Sequence, residues 1–253
     1  MIELKNVSAG YEQKNVVKDF SSTFERGKIT VLMGPNGCGK STLLKSVVGI
    51  VSHTSGEILV DGILKEGMSS RQLAQKVSYL AQNKKAPDIS VMKMVLHGRF
   101  AHLSYPRKYH SKDVEIAKNA LRWVGMDEES ETPVSKLSGG MQQKVYIAMA
   151  LAQDTETILM DEPTTYLDVA HQLRLMDMAK KLAAGGKAVV MVLHDLTQAL
   201  QVADRVVLMN EGRIVMQGTS EEVYESGQIQ KVFGVKLERV QIGERIWHYF
   251  HFL

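Results

Sequence analysis

The chain has 253 residues, of which 44% are hydrophobic and 23% are charged. That length is enough to bury a hydrophobic core, and the apolar content together with a net charge of only +3 excludes an intrinsically disordered protein. Lys and Arg number 31 against 28 Asp and Glu, so charge gives no indication of a dedicated nucleic-acid binder.

Cysteine content and membrane signals narrow the class further. The single cysteine, Cys38, excludes an internal disulfide framework and a cysteine-rich zinc site, and it is typical of a reducing compartment. The N-terminal sequence has no signal-peptide pattern, and apolar stretches such as residues 188–193 are far shorter than the ~20 residues that span a bilayer. We therefore expect a soluble, cytoplasmic chain, and any membrane part of its assembly would belong to another chain.

The first part of the chain shows strand patterns around one helix. Strands are predicted over residues 2–7, 28–33, 57–60 and 77–81. A helix is predicted from Gly39–Lys40 to about Val48, where Gly49 can end it. This helix would follow directly on the second of these strands.

The middle of the chain differs from the parts on either side of it. From Ile89 to about Ala152 the apolar spacing is helical and no convincing strand interrupts it. Strands and helices alternate afterwards, with strands at residues 157–160, 188–193 and 206–209. Alternation of this kind predicts a parallel sheet with crossover helices, so we interpret the middle block as a helical insertion.

The C-terminal segment from Ser220 is predicted to form a helix and then a strand pair that ends in the aromatic run of residues 247–252. A packed terminal strand is the favoured interpretation of those aromatics, and contact with a membrane surface is the alternative.

One segment matches the phosphate-binding loop G-x-x-x-x-G-K-[ST]. It consists of Gly34, Pro35, Asn36, Gly37, Cys38, Gly39, Lys40, Ser41 and Thr42. Glycines allow a tight turn whose N–H groups point at phosphate oxygens, and the start of the following helix adds positive potential. Lys40 is expected to reach the β and γ phosphates, and the Ser41 hydroxyl is expected to ligate Mg²⁺.

Two adjacent carboxylates end the predicted strand at residues 157–160. In open parallel sheets, ligands bind at the carboxyl ends of strands, which is where Asp161 and Glu162 would lie. Asp161 is predicted to hold Mg²⁺ through water. Glu162 is predicted to polarise an attacking water, a contribution of ~10²–10⁴ in rate for a general base.

A second helix start of the anion-binding kind precedes these carboxylates. Ser138 is a good helix N-cap, and Gly139 and Gly140 leave the backbone N–H groups uncovered.

The ordered set of motifs over about residues 1–220 resembles the nucleotide-binding subunit of ATP-binding cassette (ABC) transporters. Residues 34–42 resemble the Walker A segment, residues 158–162 resemble Walker B with its catalytic glutamate, and residues 137–141 resemble the signature motif. Met141 stands where the family usually has glutamine, which leaves any polar role of that side chain in doubt.

The same resemblance implies roles for four single residues. Gln82 resembles the Q-loop glutamine, a Mg²⁺ contact and sensor of the permease, and Asp168 belongs to a segment that resembles the D-loop. His194 resembles the switch histidine that contacts the γ-phosphate, and Tyr11 resembles the aromatic residue that stacks on adenine.

The resemblance also implies the fold. It is an α/β fold, a P-loop NTPase core with a mostly parallel sheet, an N-terminal antiparallel β subdomain and an inserted α-helical subdomain. We expect one domain, residues 1–253. Its approximate parts are the core with its β subdomain (1–86 and 153–219), the helical subdomain (87–152) and a C-terminal extension (220–253).

The partners that the resemblance implies are a second copy of the chain, a membrane permease and, indirectly, an extracytoplasmic substrate-binding protein. The homodimer would be head to tail around two Mg²⁺-ATP, with the phosphate loop of one chain facing the Ser138 helix start of the other. The location implied is the cytoplasmic face of the membrane, through the permease, and no nucleic acid is expected.

Two segments resemble the importers of iron-siderophore, haem or cobalamin complexes. The first segment, residues 96–102, is similar to that subgroup's G-R-x-P-H stretch, with Ala101 where proline is common. The second consists of residues 148–153 followed by residues 161–170, which include Tyr166 of the segment that resembles the D-loop. Importers of molybdate, manganese or zinc remain alternatives, as does a soluble ABC ATPase of iron–sulfur cluster assembly. Residues 97–110 are predicted to be a solvated basic surface, including Arg99, that docks a membrane subunit.

Overall fold

The computed structural model describes residues 1–12, 14–82, 86–243 and 245–252. The strands are β1 (Ile2–Tyr11), β2 (Lys14–Phe24), β3 (Ile29–Met33), β4 (His53–Val60), β5 (Ile63–Leu64), β6 (Val77–Leu80), β7 (Thr157–Asp161), β8 (Ala188–Val192), β9 (Arg205–Asn210), β10 (Arg213–Gly218), β11 (Val235–Ile242) and β12 (Arg245–Phe252). The helices are α1 (Lys40–Val47), α2 (Ser70–Lys76), α3 (Val91–Leu96), α4 (Ser111–Val124), α5 (Gly139–Ala152), α6 (Val169–Ala184), α7 (Leu196–Val202), α8 (Ser220–Glu225) and α9 (Gln228–Phe233).

The central sheet has the strand order β10-β9-β3-β8-β7-β6. The five strands from β9 to β6 are parallel to their neighbours, and only the edge strand β10 is antiparallel. A separate antiparallel sheet has the order β2-β1-β4-β5, and β11 and β12 form a C-terminal hairpin. The expected fold class, with a mostly parallel sheet and an antiparallel β part, is confirmed.

Both faces of the central sheet are covered, which explains why its inner strands are mostly apolar. In β8, Val189 and Met191 belong to the core that includes α6 and α7, whereas Val190 and Val192 belong to the core that includes α1 and the antiparallel sheet. Successive side chains of a strand point to opposite faces, so a strand covered on both sides is apolar at most positions. Thr30 in β3 and Thr157 and Asp161 in β7 are buried polar exceptions.

The helical middle block packs as a layer of its own. Val95 of α3, Leu121 of α4 and Val145 of α5 lie in one buried cluster, and the opposite side of α5, including Ile147, contacts the core beside the central sheet. The helical prediction for this block is confirmed, although short 3₁₀ turns separate α3, α4 and α5. The bounds of the subdomains stay a prediction.

Among the strands and α-helices that the structure describes, four have no counterpart in the sequence-based prediction, and one of them, β5, has only two residues. β2 contains bulges that break the alternation of buried and exposed residues, so it shows no clean strand pattern. β10 is an edge strand whose residues are mostly half-buried or exposed. α2 buries only Leu73 and therefore has no apolar stripe.

The described residues from 220 onward form two short helices, where one was predicted, followed by the expected strand pair. Leu237 of β11 joins the main core, and the Thr197 hydroxyl of α7 donates a hydrogen bond to the carbonyl of His248 in β12 at 2.9 Å. In the part of the chain that the structure describes, no helix combines the length and the apolar character that crossing a membrane requires.

Candidate active site

Four neighbouring parallel strands end at the candidate site. β3, β8, β7 and β6 lie side by side, and each is followed by one of the predicted site segments. The phosphate loop follows β3, His194 follows β8, Glu162 follows β7 and Gln82 follows β6. Residues that are up to 160 positions apart in the sequence therefore lie together at the carboxyl edge of the sheet. Ligand sites of open parallel sheets generally lie at this edge.

The phosphate loop depends on glycine at defined positions. Gly34 has a φ of 148°, and a Cβ there would lie 2.2 Å from the carbonyl oxygen of Met209 in the neighbouring strand. Gly39, with a φ of 107°, precedes α1 without any side-chain cap. Because no side chain covers the start of α1, its first N–H groups remain available to an anion.

Lys40 lies inside this loop rather than extending into solvent. Its ammonium donates hydrogen bonds to the carbonyl oxygens of Gly34 at 2.7 Å and Pro35 at 2.9 Å, and it lies 3.7 Å from the sulfur of Cys38. Cys38 is buried, and its own N–H points to the carbonyl of Pro35. The positive charge of Lys40 is therefore held at the centre of the loop.

Asp161 is held by two hydroxyl groups. Its carboxylate accepts hydrogen bonds from Ser41 at 2.9 Å and from Tyr79 at 3.0 Å, and the residue is 1% exposed. Burial raises the pKa of Asp161, and the two hydrogen bonds oppose that shift. Sequence reasoning did not find Tyr79, although it lies in the strand that precedes Gln82, so its hydroxyl could have been expected at this edge.

Glu162 contacts two other predicted residues. Its carboxylate accepts a hydrogen bond from the Gln82 amide at 2.6 Å and pairs with His194 Nε2 at 2.7 Å. Glu162 has a φ of 51°, a left-handed conformation that is uncommon for a residue other than glycine and is typical of functional sites. The chain thus turns sharply after β7, and Asp161 and Glu162 have different partners although they are adjacent.

A cavity of about 440 Å³ joins these residues. Its lining consists of Tyr11, Val16, Asn36, Gly37, Gly39, Lys40, Ser41, Thr42, Gln82, Glu162 and His194. Tyr11 comes from the antiparallel sheet and is 49% exposed, so its ring is accessible at the mouth of the cavity. Val16 of β2 is the lining residue that sequence reasoning missed, since β2 itself was not predicted.

The remaining predicted site residues lie outside this cavity. The Ser138 hydroxyl accepts a hydrogen bond from the N–H of Met141 and caps α5, and Asp168 caps α6 in the same way through His171. A Cβ on Gly140 would lie 3.2 Å from the carbonyl oxygen of Tyr166, so the glycines allow the segment before α6 to approach closely. Gly139 does line a neighbouring pocket together with Gln82, but none of these four residues lines the cavity that contains Lys40.

The prediction of a solvated basic surface is wrong for Arg99. The residue is 6% exposed. Its guanidinium donates to Asp113 at 3.0 Å and to the carbonyl of Ala152 at 3.0 Å, and so ties the segment after α3 to α4 and α5. Burial alone would raise the pKa of Asp113, but the His110 N–H and the Arg99 guanidinium lower it below its usual value.

Residues 17–165 match the sequence model of the ABC transporter family. The chain belongs to this family. The iron(3+)-hydroxamate import ATP-binding protein FhuC of Bacillus subtilis (strain 168) is 38% identical over 241 residues, which cover 94% of this chain and 90% of that protein. The manganese transport system ATP-binding protein MntB of the same organism is 35% identical over 239 residues, 93% of each chain.

A solved structure of the family is also similar along the whole length. A metal-chelate type ABC transporter in an inward-facing conformation has a TM-score of 0.84 and 27% identity, and the match covers 100% of this chain and 96% of that chain. As a member of this family, the chain is an ATP-binding, transport-coupled ATPase.

Proposed function

We propose that this chain is the ATPase subunit of an importer for metal chelates of the iron-siderophore, haem or cobalamin class. It couples the binding and hydrolysis of Mg²⁺-ATP to uptake through a separate membrane permease. The cargo class is supported by the 38% identity to an iron(3+)-hydroxamate import protein and by the similarity to a metal-chelate type transporter. The chemistry is supported by the residues around one cavity.

The single observation that supports the ATPase proposal is that the Lys40 ammonium and the Glu162 carboxylate line the same cavity. Lys40 and Ser41 line the same cavity as Glu162 and His194, at the carboxyl edge of four adjacent strands. A phosphate chain bound by the loop N–H groups and Lys40 would point its terminal phosphate toward Glu162. Tyr11, at the mouth of the cavity, would supply a flat apolar surface for the adenine.

The oxygen donors near the loop fit Mg²⁺. The Ser41 hydroxyl and the Asp161 carboxylate are hydrogen bonded to each other, and the Gln82 side chain contributes an amide oxygen. In the described part of the chain, no group of three or more His, Cys, Asp or Glu side chains forms a metal cage. Mg²⁺ in nucleotide sites is usually bound by one or two carboxylates together with phosphate oxygens and water. The bound ion would neutralise part of the negative charge of the phosphates.

Glu162 is the proposed general base. Its two contacts fix the direction of the carboxylate, so that an oxygen can accept a proton from a water that attacks the γ-phosphate. His194 would then contact the γ-phosphate while it holds Glu162. Gln82 lies on the other side of Glu162, so movement of its loop would alter the alignment of the base.

The proposed assembly has two copies of the chain and two ATP molecules. Within one chain the cavity that contains Lys40 is not lined by Ser138, Gly139, Gly140 or Asp168. In the proposed dimer these four residues contact the ATP held by the other chain. Symmetry then completes both sites together. The dimer would attach to permease subunits at the cytoplasmic face of the membrane, with a substrate-binding protein on the far side and without nucleic acid.

The test of the ATPase chemistry is Glu162→Gln, which keeps the size and removes the base. We expect hydrolysis to fall about 100-fold or more, with ATP binding retained and an ATP-dependent dimer accumulating in size-exclusion chromatography. Glu115→Gln, on the exposed face of α4, is the matched control and should leave hydrolysis unchanged. Undiminished hydrolysis in Glu162→Gln would refute the assignment of the base.

The test of the cargo class is uptake by a native host that lacks this chain. Uptake of radioactive ferric hydroxamate should be lost and should return with the wild-type chain but not with Glu162→Gln. Loss of manganese uptake instead would assign the cargo to the manganese alternative. Normal uptake of both, with a defect in iron–sulfur enzymes, would favour the cluster-assembly alternative.

A further inference from the structure

A second cavity, of about 300 Å³, lies where the end of α4, the middle of α5 and the first half of α6 meet. We call it the α4–α6 pocket, and none of its lining residues belongs to the ATP-binding cavity. Its walls come from two different layers, since α4 and α5 belong to the helical block and α6 covers the central sheet. Pockets of this size hold small organic ligands.

The floor of the α4–α6 pocket is apolar. Ile147, Leu167, Leu175 and Met178 line it, and all four are buried side chains of the main core. Trp123, at the end of α4, forms part of the wall. It is 53% exposed, so a large part of its indole ring is accessible to solvent. An aromatic or aliphatic body would bury this surface, and such burial contributes roughly 25 cal/mol per Å².

Cations surround this apolar floor. Arg122, Lys144 and Arg174 line the pocket together with His171. In the part of the chain that the structure describes, no carboxylate forms an ion pair with Lys144 or Arg174. The carboxylate of Asp168 is engaged by the N–H and the ring of His171, at 2.8 and 2.7 Å.

The crowding of these cations has an electrostatic effect on Lys144. Burial lowers the pKa of the Lys144 ammonium, and the positive charge of Arg174 lowers it further. The negative charge of Asp168 acts in the opposite direction but does not cancel the shift. Arg122 donates to the neutral amide of Asn119 at 2.9 Å, so it has no compensating charge in that contact. An anion placed between Lys144 and Arg174 would relieve their repulsion.

We propose that the α4–α6 pocket binds an amphipathic organic anion. A carboxylate, sulfonate or phosphate monoester contacts Lys144 and Arg174, while an aromatic or aliphatic body lies on the apolar floor beside Trp123. Neither half is sufficient, because exposed ion pairs contribute little on their own and the floor is small. Leu167 directly precedes Asp168, so the bound anion lies against the segment that is proposed to contact the partner's ATP.

The first experiment compares two ligands that share one body. Calorimetric titrations of the full chain use 1-naphthoate and its uncharged counterpart 1-naphthalenemethanol, with saturating Mg²⁺-ADP present so that the ATP-binding cavity is filled. We expect 1-naphthoate to bind with one site per chain and at least ~10-fold more tightly than the alcohol, and to weaken as salt is added. Equal affinities for the two compounds, or no binding of 1-naphthoate, would overturn the proposal.

The second experiment locates the site. The double variant Lys144→Gln with Arg174→Gln should weaken 1-naphthoate at least ~10-fold and leave the alcohol unchanged, because only the anion contacts the two cations. The matched control, Lys180→Gln with Lys181→Gln, changes two exposed cations of α6, the helix of Arg174, and should change neither titration. Undiminished binding of 1-naphthoate to the folded double variant would contradict the proposal. If the double variant does not fold, the comparison of the two ligands on the wild-type chain still tests the proposal.

Discussion

Asp161 owes its position to hydroxyl groups from two different segments. Ser41 comes from the phosphate loop and Tyr79 from β6, and both donate to the same buried carboxylate. Burial and the charge of Asp161 raise the pKa of Tyr79, so its hydroxyl keeps its proton throughout the physiological pH range. Tyr79 is therefore a permanent donor, and we infer that it is a positioning residue for the carboxylate that is proposed to hold Mg²⁺.

Tyr79→Phe tests that inference. We expect the Mg²⁺ concentration that half-saturates ATP hydrolysis to rise at least ~10-fold, because a hydrogen bond to a charged group is typically worth ~1.5–3 kcal/mol and each 1.4 kcal/mol is a factor of ten. The maximal rate at saturating Mg²⁺ should change less, and a steady-state titration with Mg²⁺ measures both. Tyr249→Phe removes a similar hydroxyl from Glu238, far from the site, and should leave the titration unchanged.

Arg99 is a second residue whose role only its contacts reveal. Breaking a buried ion pair from one side typically costs ~3–5 kcal/mol, so Arg99→Ala should lower the free energy of unfolding by about 3 kcal/mol in urea denaturation. Lys108→Ala, on the exposed part of the same segment, is the control and should change it by less than ~0.5 kcal/mol.

The pH dependence of this pair follows from the lowered pKa of Asp113. A group whose folded-state pKa is lowered stabilises the protein above its unfolded pKa, and that contribution is lost as the pH falls through the folded value. The stability difference between the wild type and Asp113→Asn should therefore be constant above about pH 5 and shrink below about pH 4. A difference that grows toward acid pH would contradict the assigned pairing.

At the scale of elements, the phosphate loop contains glycines that are required for different structural reasons. Gly34 has both a positive φ and a neighbouring carbonyl oxygen 2.2 Å from the position of a Cβ. Gly37 has a φ of 78°, but nothing lies within 4 Å of its Cβ position. The first position combines backbone strain with a steric overlap, whereas the second has backbone strain alone.

Alanine at these two glycines should therefore have unequal effects. We expect Gly37→Ala to lower the free energy of unfolding by about 1–2 kcal/mol, the cost of a left-handed residue with a side chain. Gly34→Ala should lower it by more and abolish ATP binding, since β9 or the loop has to move. Thermal unfolding and binding of a fluorescent ATP analogue measure the two effects, and equal effects would contradict the steric explanation.

Some elements were predictable because each local pattern agreed with its final environment. β8 is apolar on both faces because both faces are covered, and α1 begins where the loop glycines end. β2 and α2 were not predictable in this way. Bulges disrupt the pattern of β2, and α2 depends on a capping box at Ser69 rather than on an apolar stripe.

At the scale of the whole molecule, the proposed site is divided between two copies of the chain. Lys40 lines the ATP-binding cavity, whereas Ser138 caps a helix outside it. Each ATP would then need Lys40 from one chain and Ser138 from the other. This arrangement makes a prediction that a site contained in one chain does not make.

Two inactive variants should restore activity when they are mixed. Lys40→Ala and Ser138→Ala are each expected to lose hydrolysis, but a mixed dimer has one site with both residues intact. Random pairing predicts roughly a quarter of the wild-type rate in an equimolar mixture, because half of the dimers are mixed and each has one active site. No recovery in the mixture, with dimers present, would contradict the shared site.

The sequence by itself determined the chemistry of this protein. The phosphate loop, the Asp161–Glu162 pair and the Ser138 helix start are local motifs, and their functions depend on residue type and spacing along the chain. Their order along the chain was enough to indicate the ABC transporter family, which the match over residues 17–165 confirms.

Only the tertiary structure decided which residues meet. The chain order of the site strands is β3, β6, β7, β8, but the spatial order is β3-β8-β7-β6, so His194 and Gln82 both reach Glu162 although neither is close to it in sequence. The partner of Arg99, the hydroxyl of Tyr79 on Asp161 and the cluster of cations at the α4–α6 pocket also depend on this arrangement. Such contacts depend on distances between side chains from different elements, and the packing of the layers fixes these distances while local residue patterns do not.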